Sequence, residues 1–307
     1  MKILLLGANG QVGFELQRAL APLGGLVAAT RRGILPGGAA CEVADLDRPE
    51  SLVALLERTQ PAVIVNAAAY TAVDRAEDEP AAALRANGEA PGVLGRWAAA
   101  NDAVVVHYST DYVFGGNATA AYHEDDERAP LGVYASSKLA GENALRDSGA
   151  VHLIFRTAWV YAARGSNFLR TMLRLAGERD RLTVVADQFG APTSARLIAS
   201  TTAAVLSRWL AVDATQRLQS SGVYHLVSGG HCSWHDFANA IFTRATRAEL
   251  IERAPEVVAI STAEFPTRAR RPAWSVLDTA RLRETFSVQL PNWQDGLDDV
   301  IGELAKK

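Results

Sequence analysis

Cysteine is nearly absent from this 307-residue sequence, which contains only Cys41 and Cys232. Two isolated thiols without a spacing pattern exclude a disulfide scaffold and a cysteine-rich zinc module. Because disulfides are rare in reducing compartments, the low cysteine content favours the cytoplasm as the place where the protein works.

Long hydrophobic runs and an excess of one charge are also missing. No segment approaches the roughly 18 to 20 consecutive apolar residues that span a bilayer. The apolar run near the amino terminus, Ile3–Leu6, is too short for a secretory signal and leads into a glycine-patterned turn. The 31 basic and 34 acidic residues leave a net charge of −3. We therefore expect neither a nucleic acid nor a membrane as partner.

What the sequence does contain is an alternation of short apolar runs with longer amphipathic stretches. The apolar runs lack the period-two pattern of half-exposed strands, which indicates a parallel sheet covered on both faces. The predicted strands are Ile3–Leu6, Leu26–Ala29, Val63–Val65, Val104–His107, Val151–Arg156 and Leu182–Val185. The predicted helices between the first of them are Gln11–Leu23, Ser51–Thr59 and Pro80–Ala100. We predict an α/β fold with a Rossmann-type, doubly wound parallel sheet.

The chain length suggests about two structural units. We expect residues 1–165 to form a dinucleotide-binding Rossmann domain, with a return of 192–225, and residues 166–307 to form mainly a smaller α+β substrate domain. The second half is predicted to contain the helices Ser200–Leu210 and Ser233–Arg247, the strand Tyr224–Val227 and the loop Glu264–Trp274. Ser233 is the expected N-cap of its helix, with Asp236 supporting the first turn.

Three glycines, Gly7, Gly10 and Gly13, follow the first predicted strand and open a helix. Such glycines let the backbone turn tightly and approach a pyrophosphate, whose charge is favoured at a helix N-terminus. The spacing is G-x-x-G-x-x-G rather than G-x-G-x-x-G, and a plain structural turn is the alternative. Between a strand and a helix, the pattern favours a dinucleotide phosphate site.

The end of the second strand predicts which dinucleotide is preferred. An acidic residue there binds the ribose 2′-OH of NAD, but this strand ends at Thr30 and is followed by Arg31 and Arg32. The two arginines suit a 2′-phosphate, so we predict NADPH over NADH, with NADH left open as a second cofactor. A solvated basic loop is the alternative. Asp45 and Leu46 are candidates to hold the adenine ring.

A tyrosine and a lysine, Tyr134 and Lys138, lie four residues apart and therefore share one helix face. An ammonium near a phenol favours the tyrosinate and lowers the phenol pKa from about 10. Thr110, at the end of the strand after Ser109, is placed to hydrogen-bond both the phenol and a substrate oxygen. The Y-x-x-x-K spacing alone is weak, but combined with the glycine motif it predicts acid–base chemistry beside a dinucleotide.

These features resemble the extended short-chain dehydrogenases/reductases, and within them the dTDP-4-dehydrorhamnose reductase family. The motifs that carry the resemblance run across nearly the whole chain in order. They are Gly7–Gly13, Val65–Asp74, His107–Phe114, Tyr134 with Lys138, Arg156–Tyr161, Asp187–Thr193 and Arg270–Pro272. The S-T-D-Y-V-F and Q-x-G-A-P-T runs are more specific than the general motifs of the fold.

The resemblance implies hydride delivery to C4 of dTDP-4-dehydro-β-L-rhamnose, giving dTDP-L-rhamnose for cell-surface polysaccharide. Tyr134 is then the proton donor, Lys138 tunes it and holds the nicotinamide ribose, and Thr110 assists. Sugar contacts are implied for Thr110, Asp111 and Trp159. Dinucleotide contacts are implied for Gly10, Gln11, Val12, Asp45, Leu46, Ala69, Tyr70 and Thr71.

The sequence departs from the family pattern at three places. Thr30 replaces an acidic residue found in members that use NADH, and Ala135 replaces a glycine after the tyrosine. Some members join dimers through Mg²⁺ held by glutamates. Glu15 is present, but Arg196 stands where a second glutamate is expected, so we expect no metal site, while a homodimer stays open.

Other residues allow further interpretations. Arg268, Arg270 and Arg271 form either a clamp for the nucleotide diphosphate or a surface loop. His231, Cys232 and His235 have zinc-ligand chemistry, but His231 precedes the predicted helix, which argues against a metal cluster. Another activity of the superfamily, epimerase or dehydratase, stays open because of Asp111. A non-catalytic regulatory subunit stays open as well, although Thr110, Tyr134 and Lys138 argue against it.

Overall fold

A seven-stranded parallel sheet lies at the centre of the computed structural model, which describes residues 1–306. The strand order is β11-β6-β5-β4-β1-β2-β3, and every neighbouring pair is parallel. The strands of this sheet are β1 (Lys2–Leu6), β2 (Gly25–Thr30), β3 (Glu42–Val43), β4 (Val63–Asn66), β5 (Val104–Thr110), β6 (Val151–Thr157) and β11 (Gly222–His225). The predicted α/β, Rossmann-type fold is confirmed.

Both faces of the sheet are covered, which explains why its strands are continuously apolar. In β1, Ile3 and Leu5 belong to the core on one face, while Leu4 and Leu6 belong to the core on the other. All four side chains are fully buried. Since burying such a side chain contributes about 1.5–3 kcal/mol, this short strand adds to the stability of both faces.

Helices cover the two faces and form the second half of the chain. They are α1 (Gln11–Leu20), α2 (Pro49–Thr59), α3 (Val73–Ala76), α4 (Pro80–Leu84), α5 (Ala90–Ala100), α6 (Val133–Asp147), α7 (Phe168–Ala176), α8 (Ala195–Ala211), α9 (Ala214–Gln219), α10 (Trp234–Arg247), α11 (Ala280–Phe286) and α12 (Trp293–Ala305). On one face α1 packs beside α8, and on the other α2, α5 and α6 pack in a row. No helix among residues 1–306 is long and apolar enough to cross a bilayer.

The predicted helix Pro80–Ala100 is interrupted by a π-helical turn at Arg85–Glu89, between α4 and α5. Pro91 has no N–H, so the regular hydrogen-bond ladder cannot continue past Asn87. The Asn87 side chain is fully buried. It donates to Tyr70 O at 3.0 Å and to Ser137 Oγ at 3.0 Å, and it accepts from Tyr70 N at 2.9 Å. The π turn thereby ties the loop after β4 to α6.

The C-terminal elements include three small two-stranded sheets. Their strands are β7 (Val160–Tyr161) with β10 (Thr193–Ser194), β9 (Phe189–Gly190) with β12 (Cys232–Ser233), and β8 (Arg181–Val185) with β13 (Glu256–Ile260). The prediction of a strand at Leu182–Val185 is confirmed, but the expectation that it extends the central sheet is wrong. Its partner β13 follows α10 in the chain.

Other boundaries differ modestly from the sequence predictions. Helix α1 ends at Leu20 and continues as a 3₁₀ turn, α8 begins at Ala195, and β11 lies two residues before the predicted Tyr224–Val227. The Ser233 N-cap is confirmed: Ser233 and Asp236 form a reciprocal capping box. The division of the chain near residue 165 stays a prediction.

A buried ion pair fixes α6 against the sheet. Arg156 of β6 donates to both carboxylate oxygens of Glu142 at 3.0 and 2.7 Å, and both side chains are about 1 % exposed. Ser109 of β5 donates to the same carboxylate at 2.5 Å. Because each charge is fully paired, the cost of removing both from water is largely offset.

Replacing Glu142 by Gln leaves the Arg156 guanidinium buried without a counter-charge. We expect the free energy of unfolding, measured with urea, to fall by about 3 kcal/mol. Glu178→Gln, which breaks the exposed pair with Arg174, is the control and should cost less than about 0.5 kcal/mol. Equal losses for the two variants would contradict this account of α6.

Candidate active site

A cleft of about 940 Å³ crosses the carboxyl ends of the central strands. It extends from the glycine loop after β1 to Trp159, Ser166 and Trp234 in the second half of the chain. Ligands of doubly wound folds bind at this edge of the sheet, where strand order reverses. The cleft contains most of the predicted site residues, namely Gly7, Gly10, Gln11, Val12, Arg31, Leu46, Ala69, Thr71, Thr110, Asp111, Tyr134, Lys138 and Trp159.

The glycine loop has the geometry of a phosphate cradle. Gly7 has a φ of +75°, and a Cβ on it would lie 2.7 Å from Ala68 N. Gly10 precedes α1 in an extended conformation, and no side chain caps the helix. The first N–H groups of α1 and the positive end of its dipole are therefore available to an anion. The loop fits the pyrophosphate of a dinucleotide.

Gly13 lies behind this loop rather than in the cleft. It is buried, and a Cβ on it would lie 2.0 Å from Gly7 O. Its absence of a side chain allows α1 to approach the loop closely. Gly13 is thus required for packing, and its contact with the cofactor stays a prediction.

A segment from the second half of the chain lies over the glycine loop. Asn167 caps α7 through Arg170 N and donates to Gln11 Oε1 at 2.7 Å. Arg164 lines the cleft and stacks on Phe14 at 3.4 Å from the ring centroid. Sequence reasoning missed Arg164 and Asn167, because neither lies in a motif that suggests contact with a loop more than 150 positions away.

Arg31 and Arg32 line the cleft, and their contact with a 2′-phosphate stays a prediction. Arg31 Nε lies 3.5 Å from Asp45 Oδ1, and both side chains are partly or largely exposed. Asp45 itself does not line the cleft, whereas Leu46 does. Thr30 Oγ1 accepts from Ile34 N at 3.1 Å and so is engaged within its own loop.

Tyr70 departs from the predicted arrangement. Its neighbours Ala69 and Thr71 line the cleft, but Tyr70 does not. Its hydroxyl donates to Glu79 Oε2 at 2.8 Å and accepts from Arg75 Nε at 3.1 Å. These two hydrogen bonds hold the Tyr70 phenol against α3 and the turn that follows it.

Thr110, Asp111 and Tyr134 meet at the floor of the cleft. Thr110 Oγ1 donates to Asp111 Oδ1 at 3.0 Å and is also hydrogen-bonded to the Tyr134 side chain. Burial and the Asp111 charge raise the pKa of Tyr134 to about 12, with the Thr110 hydrogen bond acting in the other direction. The expected lowering of this phenol pKa by Lys138 is not found.

The reason is the direction of the Lys138 side chain. Its ammonium donates to the backbone carbonyl of Tyr108 at 2.5 Å and lies 3.4 Å from His107 Nε2. Burial lowers the pKa of Lys138 to about 8, and the charge of Glu142 acts in the opposite direction. Lys138 thus faces the sheet, one helical turn from Tyr134.

An aromatic wall lines the end of the cleft formed by the second half of the chain. Trp159 has a left-handed φ of +46° and stacks on Trp234 with ring centroids 3.4 Å apart. A Cβ on Gly190 would lie 2.6 Å from the Trp159 ring, so glycine is needed there. Trp234 was missed from the sequence, although its position directly after the Ser233 cap places it at a helix N-terminus.

Two of the arginines proposed as a diphosphate clamp are paired with carboxylates. Arg271 donates to both oxygens of Asp74 at 3.2 and 2.7 Å, and Arg268 pairs with Asp78. Arg271 also hydrogen-bonds Tyr112, whose ring lies edge-on to Tyr134 at 6.3 Å. None of Arg268, Arg270 and Arg271 lines the large cleft. Arg271 and Arg268 join the loop before Trp274 to α3 and to the turn after it.

The residues with metal-ligand chemistry do not converge. Glu15 lies 3.7 Å from both Arg18 and Arg196, and Arg196 also contacts Glu303. His235 lies near Val257 O and Asn239, while His231 packs on Trp274. Among residues 1–306, no three His, Cys, Asp or Glu side chains are grouped to hold a metal.

The parallel sheet, the glycine loop and the tyrosine–lysine helix place the chain among the extended short-chain dehydrogenases/reductases. A family model described as the RmlD substrate binding domain matches residues 1–306. The chain belongs to this family, the dTDP-4-dehydrorhamnose reductases.

Similar proteins cover the chain almost completely. The dTDP-4-dehydrorhamnose reductase of Burkholderia thailandensis is 50% identical over 306 residues, 99% of each chain. The reductase of Escherichia coli K12 is 45% identical over 304 residues, 99% of this chain and 98% of that one. The crystal structure of the Clostridium acetobutylicum reductase has a TM-score of 0.87 at 33% identity and covers 99% of both chains. The Bacillus anthracis reductase, in complex with NADP, has a TM-score of 0.84 at 31% identity, with 98% and 99% coverage.

The pKa of Asp111 shows how strongly burial at the cleft disfavours a charged side chain. Burial raises the pKa of this carboxyl to about 7, although the nearby Ser275 and Thr110 hydroxyls act in the other direction. In the unfolded chain the group ionises near its ordinary pKa of about 3.9. The folded protein therefore loses stability as pH rises between these two values, and the loss is complete above pH 7.

Asp111→Asn removes this titration. We expect the stability advantage of the variant over the parent to grow by on the order of 2 kcal/mol between pH 5 and pH 8, measured by urea unfolding. Asp187→Asn is the control, because hydrogen bonds from Thr262 outweigh burial and lower the pKa of Asp187. That variant should gain no stability at pH 8. An advantage of Asp111→Asn that does not change with pH would contradict the assignment.

Proposed function

We propose that this protein reduces C4 of dTDP-4-dehydro-β-L-rhamnose to give dTDP-L-rhamnose, the last step of dTDP-rhamnose biosynthesis, with NADPH as hydride donor. The main support is the full-length similarity to dTDP-4-dehydrorhamnose reductases. The second support is the meeting of Thr110, Asp111 and Tyr134 in the cleft that begins at the glycine loop. The solved relative with NADP agrees with the cofactor.

When bound, NADPH supplies the hydride for the C4 carbonyl carbon. The chain contributes the proton and the positioning. Tyr134, whose high pKa keeps it protonated at neutral pH, donates its proton to the C4 oxygen. Thr110 and Asp111 orient the phenol and the sugar hydroxyls, and Trp159 covers the sugar ring. Lys138 tunes the Tyr134 phenol and holds the nicotinamide ribose.

The remaining cofactor contacts follow the geometry of the cleft. Gly7, Gly10, Gln11 and Val12 provide backbone groups to the pyrophosphate at the start of α1. Ala69 and Thr71 leave room for the dinucleotide to cross the sheet edge, and Leu46, which is 5 % exposed, packs on the adenine. Arg31 and Arg32 bind the 2′-phosphate of NADPH.

We also propose that residues 1–165, with 192–225, carry the dinucleotide site and that 166–307 carry most of the sugar-nucleotide site. The crossing of β11 into the central sheet supports the return. A cytoplasmic setting agrees with the free thiols Cys41 and Cys232.

Tyr134→Phe tests the proton donor. We expect the rate of NADPH oxidation with dTDP-4-dehydrorhamnose to fall by roughly 10²–10⁴-fold, because a general acid contributes about that much. NADPH binding, measured by fluorescence titration, should persist. Tyr70→Phe is the matched control and should keep its activity, since the Tyr70 phenol lies outside the cleft. Unimpaired turnover by Tyr134→Phe would remove Tyr134 from the mechanism.

The double change of Arg31 and Arg32 to Ala tests cofactor choice. Charge-assisted hydrogen bonds to a phosphate contribute about 1.5–3 kcal/mol, so we expect the preference for NADPH over NADH in kcat/KM to fall by roughly 10- to 100-fold. NADH kinetics should change little. Arg174→Ala is the control, because Arg174 does not line the cleft and pairs with Glu178. An unchanged cofactor ratio would mean that these arginines form only a solvated loop.

A further inference from the structure

A buried histidine lies directly behind the proposed catalytic lysine. His107 is 1% exposed, and its Nε2 is 3.4 Å from Lys138 Nζ. On its other side His107 Nδ1 lies 3.1 Å from Asn66 Nδ2, across the parallel pairing of β4 and β5. Asn66 is also 1% exposed. The proposed function gives no role to either side chain.

The hydrogen bonds determine which histidine nitrogen carries the proton. Ala68 N donates to Asn66 Oδ1 at 3.2 Å, which fixes the orientation of the Asn66 amide. Asn66 Nδ2 must then donate to His107 Nδ1, so Nδ1 accepts and the ring proton lies on Nε2. Burial and the charges of Lys138 and His152 hold the pKa of His107 well below its ordinary value, so the ring stays neutral.

This pattern places an N–H, not a lone pair, against Lys138. An ammonium group can only donate hydrogen bonds, whereas a neutral amine can accept one. In its position against β5, the Lys138 ammonium therefore has one hydrogen-bond acceptor, Tyr108 O at 2.5 Å. Its other neighbour, His107 Nε2–H, is a donor like the ammonium itself. The amine form can accept from His107 Nε2–H.

The other charged groups around Lys138 act differently. Glu142, one turn further along α6, favours the ammonium, but its carboxylate is shared with Arg156 and Ser109. His152 acts on His107 from β6. Tyr134 lies one turn before Lys138 on α6. The donor at His107 Nε2 is thus the group in direct contact that opposes the charged lysine.

We propose that Asn66 and His107 form a positioning pair that presents an N–H to Lys138 Nζ and so weakens the hold of Lys138 on its extra proton. This inference rests on the proposed function only for its consequence, the tuning of Tyr134 through Lys138. The arrangement itself, with the hydrogen bonds Ala68–Asn66–His107 and the contact of His107 Nε2 with Lys138 Nζ, is a property of the fold.

The chain offers a direct spectroscopic test, because it contains only four lysines, Lys2, Lys138, Lys306 and Lys307. Selective ¹³C labelling of lysine gives few signals, and Lys138→Arg identifies the one of interest. Asn66→Asp keeps an acceptor for Ala68 N–H. The second carboxylate oxygen accepts a hydrogen bond from His107 Nδ1–H, so the ring proton lies on Nδ1 and Nε2 presents a lone pair to Lys138. We expect the NMR titration midpoint of Lys138 to rise by about one pH unit.

The matched comparison is Asn66→Asp in a His107→Leu background. A new carboxylate acting through space would raise the Lys138 midpoint with or without the imidazole, whereas the positioning pair requires it. The rise should therefore disappear in the double variant. An unchanged midpoint in Asn66→Asp, or an equal rise in both backgrounds, would overturn the proposal. Lys2, which donates to Thr59 O, reports whether each variant is folded.

A second measurement is made on the protein without any substitution. In ¹⁵N-histidine spectra of the unaltered protein, with His107 identified through His107→Leu, the ring should be the neutral Nε2–H form throughout pH 6–9. A protonated ring or the Nδ1–H form would refute the proposal. If the protein fails to oxidise NADPH with the 4-keto sugar while these signals behave as expected, the proposed function fails and the positioning pair stands.

Discussion

The buried Arg156–Glu142 pair is the constraint on which the geometry of the site depends. Tyr134, Lys138 and Glu142 lie at successive four-residue intervals on α6, so one helix face carries all three toward the sheet. Glu142 is held by two bonds from Arg156 and one from Ser109. Fixing that end of the face sets the distance of Lys138 from β5 and the depth of Tyr134 in the cleft.

A second contact sets how closely α6 approaches the cofactor side. A Cβ on Gly141 would lie 2.0 Å from Asn87 O in the π turn, so the helix and the turn touch through their backbones. From the same turn, the Asn87 side chain holds the backbone of Tyr70, between the cleft residues Ala69 and Thr71. The wall proposed for the dinucleotide and the helix that carries Tyr134 are therefore positioned by one buried residue.

The sequence was sufficient for the fold class and for many of the residues that line the cleft, but not for the directions of several side chains. Continuous apolar runs such as Ile3–Leu6 predict burial on both faces, and the chain order predicts which strand ends meet. A run such as Leu182–Val185 carries no information about its partner, so its pairing with Glu256–Ile260 could not be foreseen. Spacing placed Tyr134 and Lys138 on one face, but the carbonyl that attracts Lys138 belongs to a strand distant in the chain.

Opposing influences act on Tyr134, the phenol that we propose as the proton donor. Burial and Asp111 raise its pKa to about 12, which keeps the proton in place before reaction but weakens the group as an acid. Lys138 does not lower this pKa in the structure, so its influence on the phenol belongs to the proposed mechanism, in which positive charge at Lys138 favours the tyrosinate. An interaction that acts only as negative charge develops on the sugar oxygen lowers the barrier without loosening the proton beforehand. Under the two proposals together, the proton affinity of Lys138, and with it the hydrogen-bond pattern behind that lysine, determines how strongly Tyr134 is drawn to release its proton.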